Sequence, residues 1–239
     1  MPPAVSFVVL ILLWTVAAKG FHIDRIVLPT PLEVARAIAG NFGRLCVETS
    51  ITMIEAVSGF LLGSASAYSI AIAFVHSRPL QRSLYPYAIA LKSTPLIAVA
   101  PLLILWFGNG IPSKIVMSAM VAFFPVLVNA VAGLVAVDPP VLDLMRSLSA
   151  RWWQVLMKVR VPNSVPYLFA SLKTASSLAV VGAVIGEFTG STQGIGHLLT
   201  TSSYYLDTPL VFAGVIMITV AGLLFFALIS YIERAVVLW

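Results

Sequence analysis

The chain has 239 residues, of which 60% are hydrophobic and only 10% are charged. Since a soluble domain carries roughly 25% charged residues, this chain has too few charges to coat a water-facing fold, and lipid must cover much of it. The net charge of +5 comes from scattered basic residues without the stripe or patch that a nucleic-acid backbone requires, which excludes a nucleic-acid-binding protein.

Six apolar stretches follow one another along the chain, and five of them are long enough to cross a bilayer as helices. Helices are expected because the hydrocarbon core offers no water to the backbone, and none of the stretches alternates like a β-barrel strand. The stretches cover residues 4–18, 51–75, 84–107, 115–137, 165–188 and 209–232. The first is short, but no basic residue precedes it as in a signal peptide, so we interpret it as a retained span.

The distribution of basic residues indicates the orientation. With a cytoplasmic N-terminus, the short outer loops contain only Lys114, and the cytoplasmic segments contain the basic residues Arg78, Arg82, Arg146, Arg151, Lys158, Arg160 and Arg234. This agrees with the positive-inside rule, except for the outer segment between the first two stretches, which contains Lys19, Arg25, Arg36 and Arg44. The sequence therefore predicts an all-α membrane protein with six transmembrane helices, a single domain over residues 1–239, and both termini in the cytoplasm.

The segment between the first two stretches carries a helix signal of its own. Thr30 and Glu33 have the spacing of a capping box, and Pro31 suits the first helical position. A modest apolar face follows, from Leu32 to Phe42. We expect a short helix on the outer surface here.

Prolines and glycines within the apolar stretches allow two interpretations. Pro86, Pro95 and Pro101 in the third stretch indicate kinks, which reflect either irregular packing or helices that line a path. Gly59 and Gly63 in the second stretch allow close helix approach, either inside the chain or between subunits.

Four charged residues fall within or near the apolar stretches. Lys92 and Lys173 lie near cytoplasmic ends, where they can snorkel or pack between subunits, or instead line a path for an anionic solute. Glu55 is expected at the membrane interface. Glu187 precedes a glycine-rich outer loop, where it has either a hydrogen-bonding role or a place on the path. Because a buried charge is costly in a membrane, Lys92, Lys173 and Glu187 are candidate pathway residues.

The most informative segment is residues 138–162, between the fourth and fifth stretches. Asp138 and Pro139 are typical of a helix start, and Pro162 is expected to end the segment. Between them an apolar stripe at helical spacing comprises Val141, Met145, Leu148, Trp152, Val155 and Val159. This amphipathic helix either rests on lipid headgroups or docks a cytoplasmic partner.

The same segment resembles the signature loop of binding-protein-dependent ABC importer permeases. That loop reads Glu-Ala-Ala, three residues, Gly, nine residues, then Ile-x-Leu-Pro, and the matching residues here are Asp143-Leu144-Met145, Ser149 and Val159-Arg160-Val161-Pro162. Further segments look like the subgroup that imports taurine, alkanesulfonates, nitrate and some vitamin precursors. They are Val27–Pro31, Pro95–Leu96, Leu105–Gly108, Arg151–Leu156, Pro166–Ala170, Gly186–Glu187 and Gly194–Gly196.

The resemblance implies the type I importer permease fold with a cytoplasmic coupling helix, in which two permease copies pair and two ATPase subunits bind from the cytoplasm. It places the ATPase-coupling interface at Asp143, Arg146, Ser149, Arg151 and Trp152. ATP and Mg would be bound by the ATPase partners, and an extracytoplasmic binding protein would deliver the solute. Because serine adopts positive φ less readily than glycine, Ser149 makes a sharp bend harder to form.

Other classes of protein are disfavoured by the residues that the chain lacks. It has no phosphate loop, so it is not the ATPase, and one cysteine (Cys46) with three distant histidines gives no metal site. A membrane enzyme would need a catalytic constellation within the stretches. The main alternative, a secondary transporter or channel without ATPase partners, would be expected to show an inverted repeat, and none is visible. The sequence leaves the solute open between a small anion, such as a sulfonate or nitrate, and a vitamin precursor.

Overall fold

The computed structural model describes residues 3–20, 24–92 and 94–237. These described residues form ten α-helices and contain no strand, which agrees with the predicted all-α class. The helices are α1 (Pro3–Gly20), α2 (Pro31–His76), α3 (Arg78–Lys92), α4 (Leu96–Phe107), α5 (Ile111–Val135), α6 (Pro139–Ser147), α7 (Trp152–Val155), α8 (Val161–Phe188), α9 (Ile195–Tyr204) and α10 (Thr208–Val236). A π-helical turn, Leu156–Arg160, joins α7 to α8.

Four helical segments of the described chain are long and apolar enough to cross a membrane. They are Pro31–His76, Ile111–Val135, Trp152–Phe188 and Thr208–Val236, while α1 and α4 contribute the shorter apolar stretches Val8–Gly20 and Ile97–Phe107. The chain is therefore a multi-pass membrane protein.

The third apolar stretch is divided, which corrects the prediction of one helix over residues 84–107. Helix α3 ends at Lys92, and α4 begins at Leu96 after Pro95, which has extended backbone angles (φ −61°, ψ 106°). Proline lacks a backbone N–H and disfavours helical geometry in the residue before it, so the helix cannot continue through Thr94. At 1.5 Å per residue α4 is about 18 Å long, shorter than the hydrocarbon core.

The second stretch and the predicted short helix before it are parts of one helix. The capping box is present, since the Thr30 hydroxyl accepts from the Glu33 amide at 3.4 Å and the Glu33 carboxylate accepts from the Thr30 amide at 2.8 Å. From there α2 runs for 46 residues to His76, interrupted only at Asn41, where φ is −119° and ψ is 17°. The structure therefore has one kinked helix where the sequence predicted two separate helices.

The glycines of α2 serve packing inside the chain. A Cβ added at Gly59 would lie 2.7 Å from the Ile115 carbonyl oxygen, and one added at Gly63 would lie 3.0 Å from the Ala119 Cα, both on α5. Backbone atoms this close leave no room for a side chain, so Gly59 and Gly63 set the distance between α2 and α5.

Helix α8 completes the core by packing against both α5 and α2. The Ser118 hydroxyl of α5 donates to the Ala179 carbonyl of α8 at 2.9 Å, and the Ala56 carbonyl of α2 lies 3.3 Å away. Gly182 brings α8 close, since an added Cβ would lie 2.9 Å from the Ser118 Cα. The three helices therefore form one tightly packed unit.

Candidate functional site

The segment predicted as one amphipathic helix is instead two short helices, α6 and α7, with a bend between them. We call residues 139–155 the α6–α7 segment. Ser149 at the bend has a φ of +51°, so serine adopts the left-handed backbone expected of the family's glycine. The predicted continuous stripe is therefore broken after Leu148. Pro162 does not end the segment either, because it lies in the first turn of α8, where proline is tolerated.

Helix α6 is exposed on the surface of the chain. No residue of α6 is buried, and Leu144 and Leu148 are 58% and 68% exposed. Asp143 and Arg146 form an exposed ion pair at 2.8 Å. Exposed apolar residues beside charges are typical of a surface that contacts lipid or another protein.

Helix α7 is held at its start and rests on the end of α2. The Arg151 amide donates to the Gln154 side chain at 2.8 Å, which closes the first turn. The Trp152 ring packs edge-on against His76, with 4.2 Å between ring centroids. The five residues predicted to form the coupling interface therefore lie in this exposed segment, at its helix surface, its bend and the start of α7.

Two side chains tie the start of α8 to the end of α5. Arg160 donates to the Leu134 carbonyl at 2.8 Å, and Asn163 donates to the Gly133 carbonyl at 3.1 Å. Both carbonyls belong to the last turn of α5, where no intrahelical partner is available. The two ends of the α6–α7 segment are thus held together by hydrogen bonds between the end of α5 and the start of α8.

The charged residues of the apolar stretches have separate environments. Lys173 forms an ion pair with Glu233 of α10 at 2.7 Å, so its charge is balanced within the chain. The side chain of Lys92 lies outside the described part of the structure. Glu187 is buried and accepts a hydrogen bond from the Thr52 hydroxyl at 2.6 Å, which agrees with the predicted hydrogen-bonding role.

A buried polar cluster at the opposite ends of α5 and α8 corrects two predictions. Glu55, expected at the interface, and Lys114, expected in an outer loop, are each only 1% exposed, as is Glu187. The Lys114 ammonium donates to the Asn109 carbonyl at 2.5 Å and to its side chain at 3.2 Å, and the Gly190 carbonyl lies 3.4 Å away. A buried lysine in the first turn of a membrane helix thus has its ammonium group paired with oxygen atoms of two loops, as a buried charge requires.

The sequence contained a signal for this cluster. Glu48, Thr52, Glu55 and Gly59 are spaced by four, three and four residues, which places them on one face of a helix. Gly59 marks the face that packs, and on this face Thr52 and Glu55 are buried and Glu48 is half-buried. Among the described residues, no group of three or more histidine, cysteine or acidic side chains is arranged to hold a metal ion.

The fold and these two regions define a class of protein: a multi-pass helical membrane protein with an exposed loop rooted in its core helices. A family model described as "Binding-protein-dependent transport system inner membrane component" matches residues 59–238. The chain belongs to this family and is a membrane permease subunit of an ABC importer, not a catalytic subunit. This membership favours the importer over a secondary transporter or channel.

Curated relatives match nearly the whole chain. The riboflavin transport system permease protein RibX of Chloroflexus aurantiacus is 32% identical over 98% of this chain and 88% of its own length. The putative aliphatic sulfonates transport permease protein SsuC of Bacillus subtilis is 32% identical over 97% and 84%. The formylaminopyrimidine transport permease protein ThiX of Halalkalibacterium halodurans is 28% identical over 100% and 96%.

Solved structures share the fold. A chain of the inward-facing MetNI methionine ABC transporter superposes with a TM-score of 0.66 at 17% identity, over 82% of this chain and 95% of that chain. A chain of an amino acid ABC transporter crystallised with histidines gives a TM-score of 0.54 at 19% identity, over 89% and 99%.

Proposed function

We propose that the α6–α7 segment is the coupling element through which cytoplasmic ATPase subunits move this permease. The observation that carries the proposal is the combination of exposure and attachment. The segment offers apolar and charged side chains that nothing in the described chain covers, while its roots are fastened to α5 and α8. A partner that pulled on this segment would therefore pull on two core helices at once.

Five residues of the segment form the proposed docking surface. They are Asp143, Arg146, Ser149, Arg151 and Trp152. Tryptophan and arginine are the residues most enriched at the energetic centres of protein interfaces, and the bend at Ser149 turns α6 relative to α7 so that both can face one partner.

We further propose a single transmembrane domain over residues 1–239 with six passes in the type I arrangement. Five passes would be made by α1, the later part of α2, α5, α8 and α10, and α3 with α4 would form a sixth, broken pass. We propose that the membrane is a bacterial inner membrane and that the α6–α7 segment and both termini lie on its cytoplasmic side, which the basic residues around the segment support by the positive-inside rule.

The proposed assembly has two copies of this chain, two ATPase subunits and an extracytoplasmic binding protein. ATP and Mg would be bound by the ATPases. ATP can drive transport only if it binds the assembly's two conformations with different affinity, and the coupling segment is where that difference reaches the permease.

The coupling role is tested by the paired change Asp143→Arg with Trp152→Ala. We expect ATPase association to weaken by at least roughly tenfold, since an interface tryptophan is often worth 2 kcal/mol or more, while membrane insertion stays normal. The matched control is Asp24→Arg with Tyr205→Ala, which changes an exposed acid and an exposed aromatic residue away from the segment. Normal association in the first variant, measured by co-purification in mild detergent, would refute this docking surface.

The solute is proposed to be small and polar: an organic or inorganic anion such as a sulfonate or nitrate, or a vitamin precursor. Support comes from relatives named for aliphatic sulfonates, riboflavin and formylaminopyrimidine. Lys92, Lys173 and Glu187 remain the proposed pathway residues. The pairing of Lys173 with Glu233 leaves its charge less available to an anion, and Glu187 is buried and bonded to Thr52, so it would meet a solute only after α8 and α9 move apart. Mass spectrometry of the ligand carried by the cognate binding protein tests this choice directly.

A further inference from the structure

The first turn of α9 is capped by side chains from two other helices. A helix begins with N–H groups that have no partner within the helix. In α9 three successive N–H groups are accepted by acidic and hydroxyl side chains of α2 and α8. The bonds are Gly194 to Glu48 at 2.6 Å, Ile195 to Thr52 at 2.8 Å, and Gly196 to Glu187.

The acceptors come from other helices because the N-cap residue of α9 has no side chain that could accept a hydrogen bond. Gly194 stands at the N-cap, where a serine, threonine or aspartate would ordinarily accept from the helix, and its φ of +95° favours glycine. The turn therefore depends on α2 and α8 for hydrogen-bond acceptors. Separation from those helices would leave buried N–H groups unpaired, which is costly in a water-poor site.

Glycine at this turn also permits the close contact. A Cβ added at Gly196 would lie 2.7 Å from the Glu187 Cβ and 2.9 Å from the Val184 carbonyl oxygen, and one added at Gly194 would overlap the Glu187 carboxylate. The backbone of α9 is thus pressed directly against the last turns of α8.

Thr52 connects the two contacts into one chain of hydrogen bonds. Its hydroxyl accepts from the Ile195 amide at 2.8 Å and donates to the Glu187 carboxylate at 2.6 Å. A hydroxyl that donates and accepts in this way strengthens both bonds. Helices α2, α8 and α9 therefore meet at a single fully buried side chain.

A second attachment lies beside the first. Lys114 holds Asn109, in the turn before α5, and lies 3.4 Å from the carbonyl of Gly190, in the turn between α8 and α9. Both attachments lie where α5 begins and α8 ends, whereas the α6–α7 segment lies where α5 ends and α8 begins. The long helix α8 thus joins the coupling segment to α9.

We propose that Thr52 and Glu187 are positioning residues that fasten α9 to α8, so that α9 follows α8 when the α6–α7 segment is moved. This inference rests on the coupling role proposed above and adds the helix to which the movement is passed. A rotation or shift begun by the ATPases at one end of α8 would be delivered to α9 at the other end through Glu187, which binds the Gly196 amide directly and the Ile195 amide by way of the Thr52 hydroxyl.

The experiment compares Thr52→Val with Thr49→Val in the complex of the permease with its ATPase subunits. The two threonines lie one turn apart on α2 and both are buried, but the Thr49 hydroxyl has no hydrogen-bond partner among the described residues. Amide hydrogen exchange is measured for peptides covering α9, the end of α8 and the α6–α7 segment, without nucleotide and in the vanadate-trapped state. Glu187→Gln and Glu187→Ala form a second pair, in which glutamine keeps one acceptor.

We expect Thr52→Val to speed exchange in α9 roughly tenfold, since unpairing a buried N–H costs about 1–3 kcal/mol, while Thr49→Val leaves it unchanged. In the unaltered complex and in Thr49→Val, vanadate trapping should change exchange in both α8 and α9. In Thr52→Val, vanadate trapping should still change exchange in α8 but no longer in α9. Glu187→Gln should keep more of the α9 change than Glu187→Ala.

Equal behaviour of the two threonine variants, or a full α9 response in Thr52→Val and Glu187→Ala, would overturn the attachment. If vanadate trapping leaves amide exchange in the α6–α7 peptides of the unaltered complex unchanged, the coupling role itself is wrong, and so is the proposed transmission to α9.

Discussion

Replacing Gly63 with alanine should loosen the contact between α2 and α5. The added methyl group would overlap the Ala119 carbonyl oxygen and lie 3.0 Å from the Ala119 Cα and 3.1 Å from its carbonyl carbon. These are backbone atoms in the middle of a packed helix, so they cannot rotate away, and α5 must shift as a body. Overpacking of this kind costs about 1–3 kcal/mol, occasionally more.

Alanine also gains about 1 kcal/mol over glycine in a helix interior, so the net loss at position 63 should be about 0–2 kcal/mol. Gly43→Ala is the matched control because it makes the same change in the same helix, where none of the described residues brings an atom within 4 Å of the added Cβ. There only the helix propensity acts, and the free energy of unfolding should rise by up to about 1 kcal/mol.

Equilibrium unfolding by SDS in mixed micelles measures both variants against the unaltered chain. The expected result is that Gly63→Ala is about 1–3 kcal/mol less stable than Gly43→Ala, since the gain in helix propensity is common to both. If Gly63→Ala is as stable as Gly43→Ala, then α2 and α5 do not approach as closely as the structure has them, and the account of the core given above is wrong.

Three further predictions concern the ends of the helices. Ser149→Gly should relieve the positive φ, which costs a non-glycine residue about 1 kcal/mol or more, and slow amide exchange in the bend severalfold; faster exchange would contradict this. Glu233→Gln should lower the free energy of unfolding by about 1–2 kcal/mol by removing the counter-charge of Lys173, and the exchanged pair, Lys173→Glu with Glu233→Lys, should recover most of the loss. Arg160→Ala should remove the donor to the Leu134 carbonyl, lower stability by about 1.5–3 kcal/mol, and raise exchange at the end of α5, whereas an unchanged α5 would rule out the anchoring role.

Composition and hydropathy were sufficient to predict the helical membrane class, because both follow from residue content alone. The capping box at Thr30 and the helix start at Asp138 were also predictable, since each depends on a few adjacent residues. The division of the third stretch at Pro95 was missed, although a proline in mid-stretch is a local signal, because membrane helices often tolerate one through compensation by their neighbours.

The sequence alone could not predict which residues form the buried polar cluster. Lys114 and Glu55 look like interfacial charges when only distance from a stretch end is considered, and their burial depends on which loops fold over them. The carbonyls that satisfy Lys114 come from Asn109 and Gly190, far apart in the chain. Helical spacing could place Glu55 on the packed face of α2, but the turn before α9 that covers this region required the three-dimensional fold.

The capping of α9 by side chains of α2 and α8 has a consequence for the order in which the chain can fold during synthesis. The α2 acceptors are synthesised long before the amides that they bind, since Glu48 precedes Gly194 by 146 residues and Thr52 precedes Ile195 by 143. Glu187 precedes Gly196 by only nine residues, so the last acceptor and the donors are added almost together. The start of α9 can therefore be capped only once the chain has been made nearly to its last membrane helix.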